Sequence, residues 1–248
     1  MEKIWIGCAG WAYPDWAGSF YPPDMPRKDW LKYYASVFNS VELNYSFYHL
    51  PLEKTLLKWN QESGGLLWAV KASKYITHIK RLKDCAEALS TFTGRLGLLK
   101  NLGPVLLQLP PNLKFDRAAF GDFTSILPKG LRYTVEPRHE SWFTKEFLGE
   151  LEKRNIALCV SDTAGKYPYC EAVTAAFVYV RLHGHKQLYR SLYSAGELAA
   201  WVRRLKTWKR EVFVYFDNTM DGNAPKNAAQ LKGLLCRPAR GCYRTRPG

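Results

Sequence analysis

Polar and charged residues gather at the downstream ends of short apolar runs. They are Glu42 and Asn44, Lys71 and Ser73, Gln108, Glu136 and Arg138, Asp162, Arg181 and His183, and Tyr215, Asp217 and Asn218. Three chemistries can use such a set. Lys71, Arg138 and Arg181 can hold a phosphate or carboxylate, the arginines through paired N–H donors. Glu42 or Glu136 can act as general base with His183 as acid, and Asp162 as orienter. Glu136, Asp162, His183 and Asp217 offer oxygen and imidazole ligands to a divalent metal. The nearby cations weigh against a metal, and no His-Glu-x-x-His spacing is present. No cofactor is therefore assigned, and a divalent metal is left open. Four carboxylates stand against three permanent cations plus His183, close to balance. The same residues could instead form a structural salt-bridge network, because buried charges need partners.

The runs that would position these groups are Ile4–Cys8, Ser40–Asn44, Leu67–Ser73, Val105–Leu109, Arg132–Glu136, Ala157–Asp162, Phe177–His183 and Val212–Asn218. Several are nearly continuous apolar stretches, which suits parallel strands covered on both faces. Helical spacing follows most of them: 30–38, 53–63, 85–99, 116–127, the stretch after Thr144, 195–208 and 223–235. Ser194 with Glu197 reads as a capping box. The weakest link is 169–174, at most a turn or two. Strand and helix alternating eight times predicts a (β/α)8 TIM-like barrel. An open doubly wound sheet is the alternative, but no Gly-x-Gly-x-x-Gly follows the first run. In such a barrel the strand C-termini carry the active site. Alternation puts Glu42 with Asn44, Lys71 with Ser73, and Tyr179 with Arg181 and His183, on shared faces. The polar set is expected to point into the barrel mouth.

Two aromatic loops follow the first two strands, 10–22 and 44–49. Most of their rings are expected to pack on one another, with Trp11, Tyr13 and Tyr48 the candidates for an exposed, substrate-stacking rim. The loops at 74–83 and 185–193 are basic, and helix 223–235 opens on Gly222-Asn223, a weak phosphate-binding signal. Across 248 residues, 36 Lys+Arg against 22 Asp+Glu give a net charge of +14. Four arginines lie in 237–248, so the body alone is +10. Such charge favours anionic partners without specifying one. One domain is expected over 1–235, followed by a basic, disordered tail over 236–248. The six cysteines form no Cys-x-x-Cys pair, no run spans a membrane, and no signal-peptide pattern opens the chain. Those features suggest a cytoplasmic protein, with monomer as the default state.

Taken in order, several stretches resemble the domain-of-unknown-function 72 family, also called YecE-like proteins. They are Gly7-Cys8-Ala9-Gly10-Trp11 with Phe20-Tyr21-Pro22, Glu42-Leu43-Asn44 with Ser46-Phe47-Tyr48, and Lys71-Ala72-Ser73 with Ile76-Thr77-His78. Further on come Gly103-Pro104 through Gln108-Leu109-Pro110-Pro111, Glu136-Pro137-Arg138 with Ser141-Trp142, and Arg181-Leu182-His183-Gly184. Tyr215-Phe216 with Asn218, and Gly222 through Asn227-Ala228, complete the set. The resemblance implies a TIM-barrel-like fold and no particular activity. Its fold is similar to that of the xylose isomerase and endonuclease IV group, which use metal at the barrel mouth, but the multi-His ligand set of endonuclease IV is not reproduced. Asp217 stands where the family pattern has a paired Asn, which alters the charge of the pocket.

The leading expectation is an enzyme with an anion (phosphate) pocket at the strand C-termini, acting on a phosphorylated or nucleic-acid-related substrate. In it Glu42, Glu136, His183 and Asp162 are catalytic. Asn44, Lys71, Ser73, Gln108, Arg138, Arg181, Tyr215, Asp217, Asn218, Trp11, Tyr13 and Tyr48 bind substrate. The partner would be a small phosphorylated molecule or nucleic acid. The alternatives are a non-catalytic nucleic-acid-binding module with a basic aromatic rim and a metal-assisted sugar isomerase-like enzyme.

Overall fold

A computed structural model describes residues 3–236. The expected tail beyond Cys236 lies outside the described residues. Eight parallel strands form one sheet: β1 (Ile4–Cys8), β2 (Ser40–Leu43), β3 (Leu67–Lys71), β4 (Leu102–Gln108), β5 (Tyr133–Glu136), β6 (Ala157–Asp162), β7 (Phe177–Leu182) and β8 (Glu211–Phe216). β8 pairs with β1 in register from Ile4↔Val212 to Cys8↔Phe216, which wraps the sheet toward closure. Around it lie α1 (Trp30–Val37), α2 (Tyr45–Tyr48), α3 (Glu53–Glu62), α4 (Ala86–Leu96), α5 (Arg117–Ser125), α6 (Lys145–Lys153), α7 (Ala195–Thr207) and α8 (Asn223–Cys236). This is the expected (β/α)8 barrel.

The remaining seam, between β1 and β2, carries a single bridge, Ala9↔Glu42. Side chains close the rest of it. Tyr34 donates its hydroxyl to Ser40 O and accepts from Cys8 N, and Asn39 Oδ1 accepts from Ile6 N. The backbones approach so closely that a Cβ on Gly7 would sit 1.9 Å from Ser40 O. Only glycine fits there.

Helix starts follow their sequence signals. Asp116 and Thr144 accept backbone N–H bonds at their N-caps, and Ser194 with Glu197 forms the full capping box. One link departs from the alternation. Between β6 and β7 the chain crosses without a helix, so 169–174 forms not even a turn of one. Thr174 holds this crossing: its hydroxyl donates to Ile156 O and accepts from Leu158 N.

The core has two shells. Leu67, Ala69, Leu106, Cys159, Tyr179 and Tyr215 are among the residues that plug the barrel interior. Val70, Val105, Val160, Val180 and Val214, on the opposite faces of the same strands, join the outer core under the helices. The tryptophans serve mainly this packing: Trp11, Trp16, Trp30, Trp68, Trp142 and Trp201 are all buried. No described helix is long and apolar enough to cross a membrane.

Candidate site at the barrel mouth

Side chains two residues apart on a strand share a face. One step beyond the interior plug, the same face therefore carries Lys71 after Ala69, Gln108 after Leu106, Ser161 after Cys159, Arg181 after Tyr179 and Asp217 after Tyr215. This puts a polar layer directly on an apolar plug at the C-terminal end of the barrel.

Arg181 is its centre. Nε and Nη2 donate to Glu42 Oε2 and Oε1 at 3.0 and 2.8 Å, Nη1 donates to Glu136 Oε2 at 2.7 Å, and Nη2 donates to Asp217 Oδ2 at 2.9 Å. Tyr179 donates its hydroxyl to Glu42 Oε2 at 2.7 Å. Arg138 donates from Nε to Glu136 Oε1 at 3.1 Å, with Nη2 3.0 Å from the same oxygen. His183 is enclosed, its Nδ1 2.9 Å from Asp217 Oδ2 at an angle short of a hydrogen bond, its Nε2 3.4 Å from Arg181 Nη1. Burial alone would push the Glu136 carboxyl up, but Arg181 and then Arg138 hold it well below the ordinary range. Asp217 is likewise raised by burial and lowered further by Arg181 and His183.

The geometry brings Glu42, Glu136, Arg138, Arg181, His183 and Asp217 together, and changes the part that Arg181 plays. A guanidinium has five N–H donors. Four meet carboxylate oxygens and the fifth faces His183, so the buried Arg181 has none left for a ligand anion. Glu42, Glu136 and His183 are also closed off from solvent, packed around that guanidinium. The metal-ligand reading fails on the same geometry, because the carboxylates that would take a divalent ion converge on the guanidinium instead. Among the described residues no group of three His, Cys, Asp or Glu is arranged to hold a metal.

Lys71 is different. Among the described residues no carboxylate lies within ion-pair distance of its Nζ, which sits 4.1 Å from the centre of the Phe47 ring. Burial and then Arg181 lower its pKa to about 8, and the three carboxylates only partly compensate. Beside it His78, from the π-helical turn Tyr75–Ile79, packs edge-on against Phe47. Burial, then Lys71 and Arg138, bring that imidazole down to about 4, so it is neutral at pH 7.

Several expected positions fall elsewhere. Asp162 shares the face of Val160 and points outward; its oxygens meet Ala164 N, the Tyr193 hydroxyl and His185. Asn218 shares the face of Phe216 and bonds Ser191 O and Asn227, fixing the loop before α7. Tyr215 lies one layer too deep, its hydroxyl 2.6 Å from Ser40 Oγ. Trp11 is not a rim residue: it is 9% exposed and packed edge-on to Trp59 and Trp68. Tyr13 is half-buried, donating to Ala9 O, while Tyr48 is 70% exposed. Gln108 is buried in register with Glu136 and donates to Leu109 O; Ser73 accepts from Tyr75 N. Asn44 donates weakly to Ala9 O and leaves its buried Oδ1 without a partner among the described residues.

Ser161, Tyr179, Phe47 and His78 are the additions. Ser161 lies in register with Arg181, with a buried hydroxyl that finds no partner among the described residues. Its signal was available: it shares the inward face of Cys159, whereas Asp162 does not. Outside the mouth, Lys80, Arg81, Lys83 and Lys114 line a groove of about 440 Å³ between the loops after β3 and β4. Arg81 and Leu82 there, and Asp84 just beyond, all have φ between 48° and 69°, with the Arg81 guanidinium tied to Asn112.

Residues 5–247 match the family described as protein of unknown function DUF72. A curated relative, UPF0759 protein YunF of Bacillus subtilis (strain 168), is 28% identical over 271 aligned positions, covering 94% of each chain. A DUF72 family protein of Thermotoga maritima superposes with a TM-score of 0.86 at 28% identity, over 94% of this chain and 99% of that one. Another, from Enterococcus faecalis, superposes with a TM-score of 0.81 at 19% identity, over 95% and 96% of the two chains.

Proposed function

Starting from a chain that belongs to the DUF72 family, we propose that it is an enzyme acting at the barrel mouth on a small anionic substrate, bearing a phosphate or a carboxylate. The observation that carries this reading is Lys71. Arg181 and Arg138 are each answered by carboxylates, while Lys71 is a mostly buried cation with no such partner among the described residues. A buried cation without a counter-charge is costly, and an incoming anion removes that cost. Arg138, at the edge of the layer, supports the same anion. Asp217, whose side chain is 12% exposed against 0% and 1% for Glu42 and Glu136, is the carboxylate with access to a bound substrate and so the group to exchange a proton. Arg181 holds these groups in place.

Calorimetric titration of the full chain with inorganic phosphate and with phosphorylated sugars and nucleotides tests this. Lys71→Met is expected to lose about tenfold or more in affinity, a change of about 1.4 kcal/mol, with its fold intact. Equal affinity in the variant and the parent chain would remove the reading. A second reading, single-stranded nucleic acid along the rim, is favoured by the Lys80–Lys114 groove and the exposed Tyr48. It predicts oligonucleotide binding that weakens when Lys80, Arg81 and Lys83 are neutralised and is indifferent to Lys71→Met.

A further inference from the structure

A lysine that is held still, kept from carboxylates and placed beside another cation is suited to act as a nucleophile as well as a charge. We propose that Lys71 condenses with the carbonyl carbon of an anionic aldehyde or ketone to form an imine at the barrel mouth. This rests on the reading of the mouth as an anion-binding enzyme site and names the substrate class.

The geometry favours attack over simple ion pairing in three ways. Lys71 is the last residue of β3 and shares the inward face of Ala69, so its stem is anchored by a strand rather than a loop. Its Nζ lies over the Phe47 ring, whose face attracts the ammonium less strongly than a carboxylate would. The buried Ser161 hydroxyl, on the inward face of β6 at the same end of the barrel, has no partner among the described residues to compete with a ligand oxygen. Burial and Arg181 also bring the amine to about 8, so about one chain in ten carries neutral Lys71 at pH 7.

In the reaction the amine lone pair adds to the carbonyl carbon, and the carbonyl oxygen takes up a proton. The carbinolamine oxygen then takes a second proton and leaves as water while the nitrogen lone pair closes the C=N bond; the two protons on that water are the two that the Lys71 ammonium gives up on becoming the protonated imine. One water leaves and no electrons are gained or lost. The protonated imine replaces an ammonium with another cation, so the charge facing Glu42, Glu136 and Asp217 is unchanged. The anionic end of the substrate lies toward Arg138, which engages Glu136 through Nε and Nη2 only.

The test is reductive trapping on the full chain. The protein is treated at pH 8 with glyoxylate or glyceraldehyde 3-phosphate and sodium cyanoborohydride, and the modified lysines are mapped by mass spectrometry over time. Lys71 is expected to be labelled at least about tenfold faster than Lys74 or Lys80, as for a lysine activated by its surroundings, and inorganic phosphate is expected to slow that labelling. Lys71→Arg, which keeps the charge, should show only the slow background. Labelling of Lys71 no faster than that of Lys74 and Lys80 overturns the imine. If phosphate still binds through Lys71 in that case, the anion site stands and only the covalent step falls; if phosphate also ignores Lys71, both fall.

Discussion

Replacing Arg181 by methionine should convert the centre of the mouth from a neutralised network into buried, unanswered acid. The side chain volume is roughly kept, so the effect is electrostatic. Glu42 loses a paired contact at 2.8 and 3.0 Å, Glu136 one at 2.7 Å and Asp217 one at 2.9 Å. Glu136 retains Arg138, so Glu42 and Asp217 are the groups left to take up protons. Neutralising one ordinary carboxyl of pKa near 4.5 at pH 7 costs about 3.4 kcal/mol, at about 1.36 kcal/mol per unit. The expected loss is therefore about 3 kcal/mol if one group protonates and about 7 if both do, against a total stability of about 5–15 kcal/mol for a domain.

The sign of the pH dependence separates this from a packing defect. In the parent chain Glu136 and Asp217 have lowered pKa values, so their stabilisation is present above the ordinary carboxylate range and is lost as the pH falls through it. In the variant the orphaned carboxyls have raised values, and stability grows as the pH falls toward 5. The two chains should converge on acidification. Chemical denaturation at pH 7 and pH 5 measures this directly. A destabilisation that is the same at both pH values, or no destabilisation at pH 7, would refute the electrostatic account of the cluster.

Three further outcomes follow from the same structure. Lys71→Met should stabilise the free protein at pH 7 by about 1–2 kcal/mol once its partial solvent access is allowed for; the parent chain should gain stability between pH 8 and pH 10.5, where folding no longer has to bury a charged amine, and the variant should not. Gly7→Ala should cost about 3 kcal/mol or prevent folding, because the added carbon meets Ser40 O at 1.9 Å; a melting temperature unchanged from the parent would show that the β1–β2 seam can spread. Ser194→Ala should lose about 1 kcal/mol by removing the cap of α7, read from thermal denaturation, with the capping bond refuted by an unchanged midpoint.

The barrel was legible in the sequence because each strand is a short apolar run of the buried, parallel kind and a period-3.6 segment follows most of them. The β6–β7 crossing was hard to read for the opposite reason: 163–176 has neither period, and an irregular chain pinned by Thr174 serves in place of a helix. Within the site, strict alternation along β2, β5, β7 and β8 suffices to bring Glu42, Glu136, Arg181 and Asp217 to one face. Asp162 and Asn218 also end apolar runs, but each lies two residues on from an outward residue, Val160 and Phe216, so alternation turns both away from the mouth. Trp11 belongs to a loop, where no period fixes direction, and its ring is claimed by Trp59 and Trp68. Residue types alone also did not tell which cation is free. Arg181 and Lys71 both looked like anion holders, and only the convergence of three carboxylates on the guanidinium separates them.

The most direct test is the titration of the Lys71 amine itself, followed by NMR of isotopically labelled lysine with Lys71→Arg to assign its signal. The predicted result is a midpoint near 8 that moves upward when inorganic phosphate is added, because a bound anion favours the charged form. A midpoint near the ordinary 10.5, indifferent to phosphate, would contradict the claim that Lys71 is the unpaired, working cation of the barrel mouth.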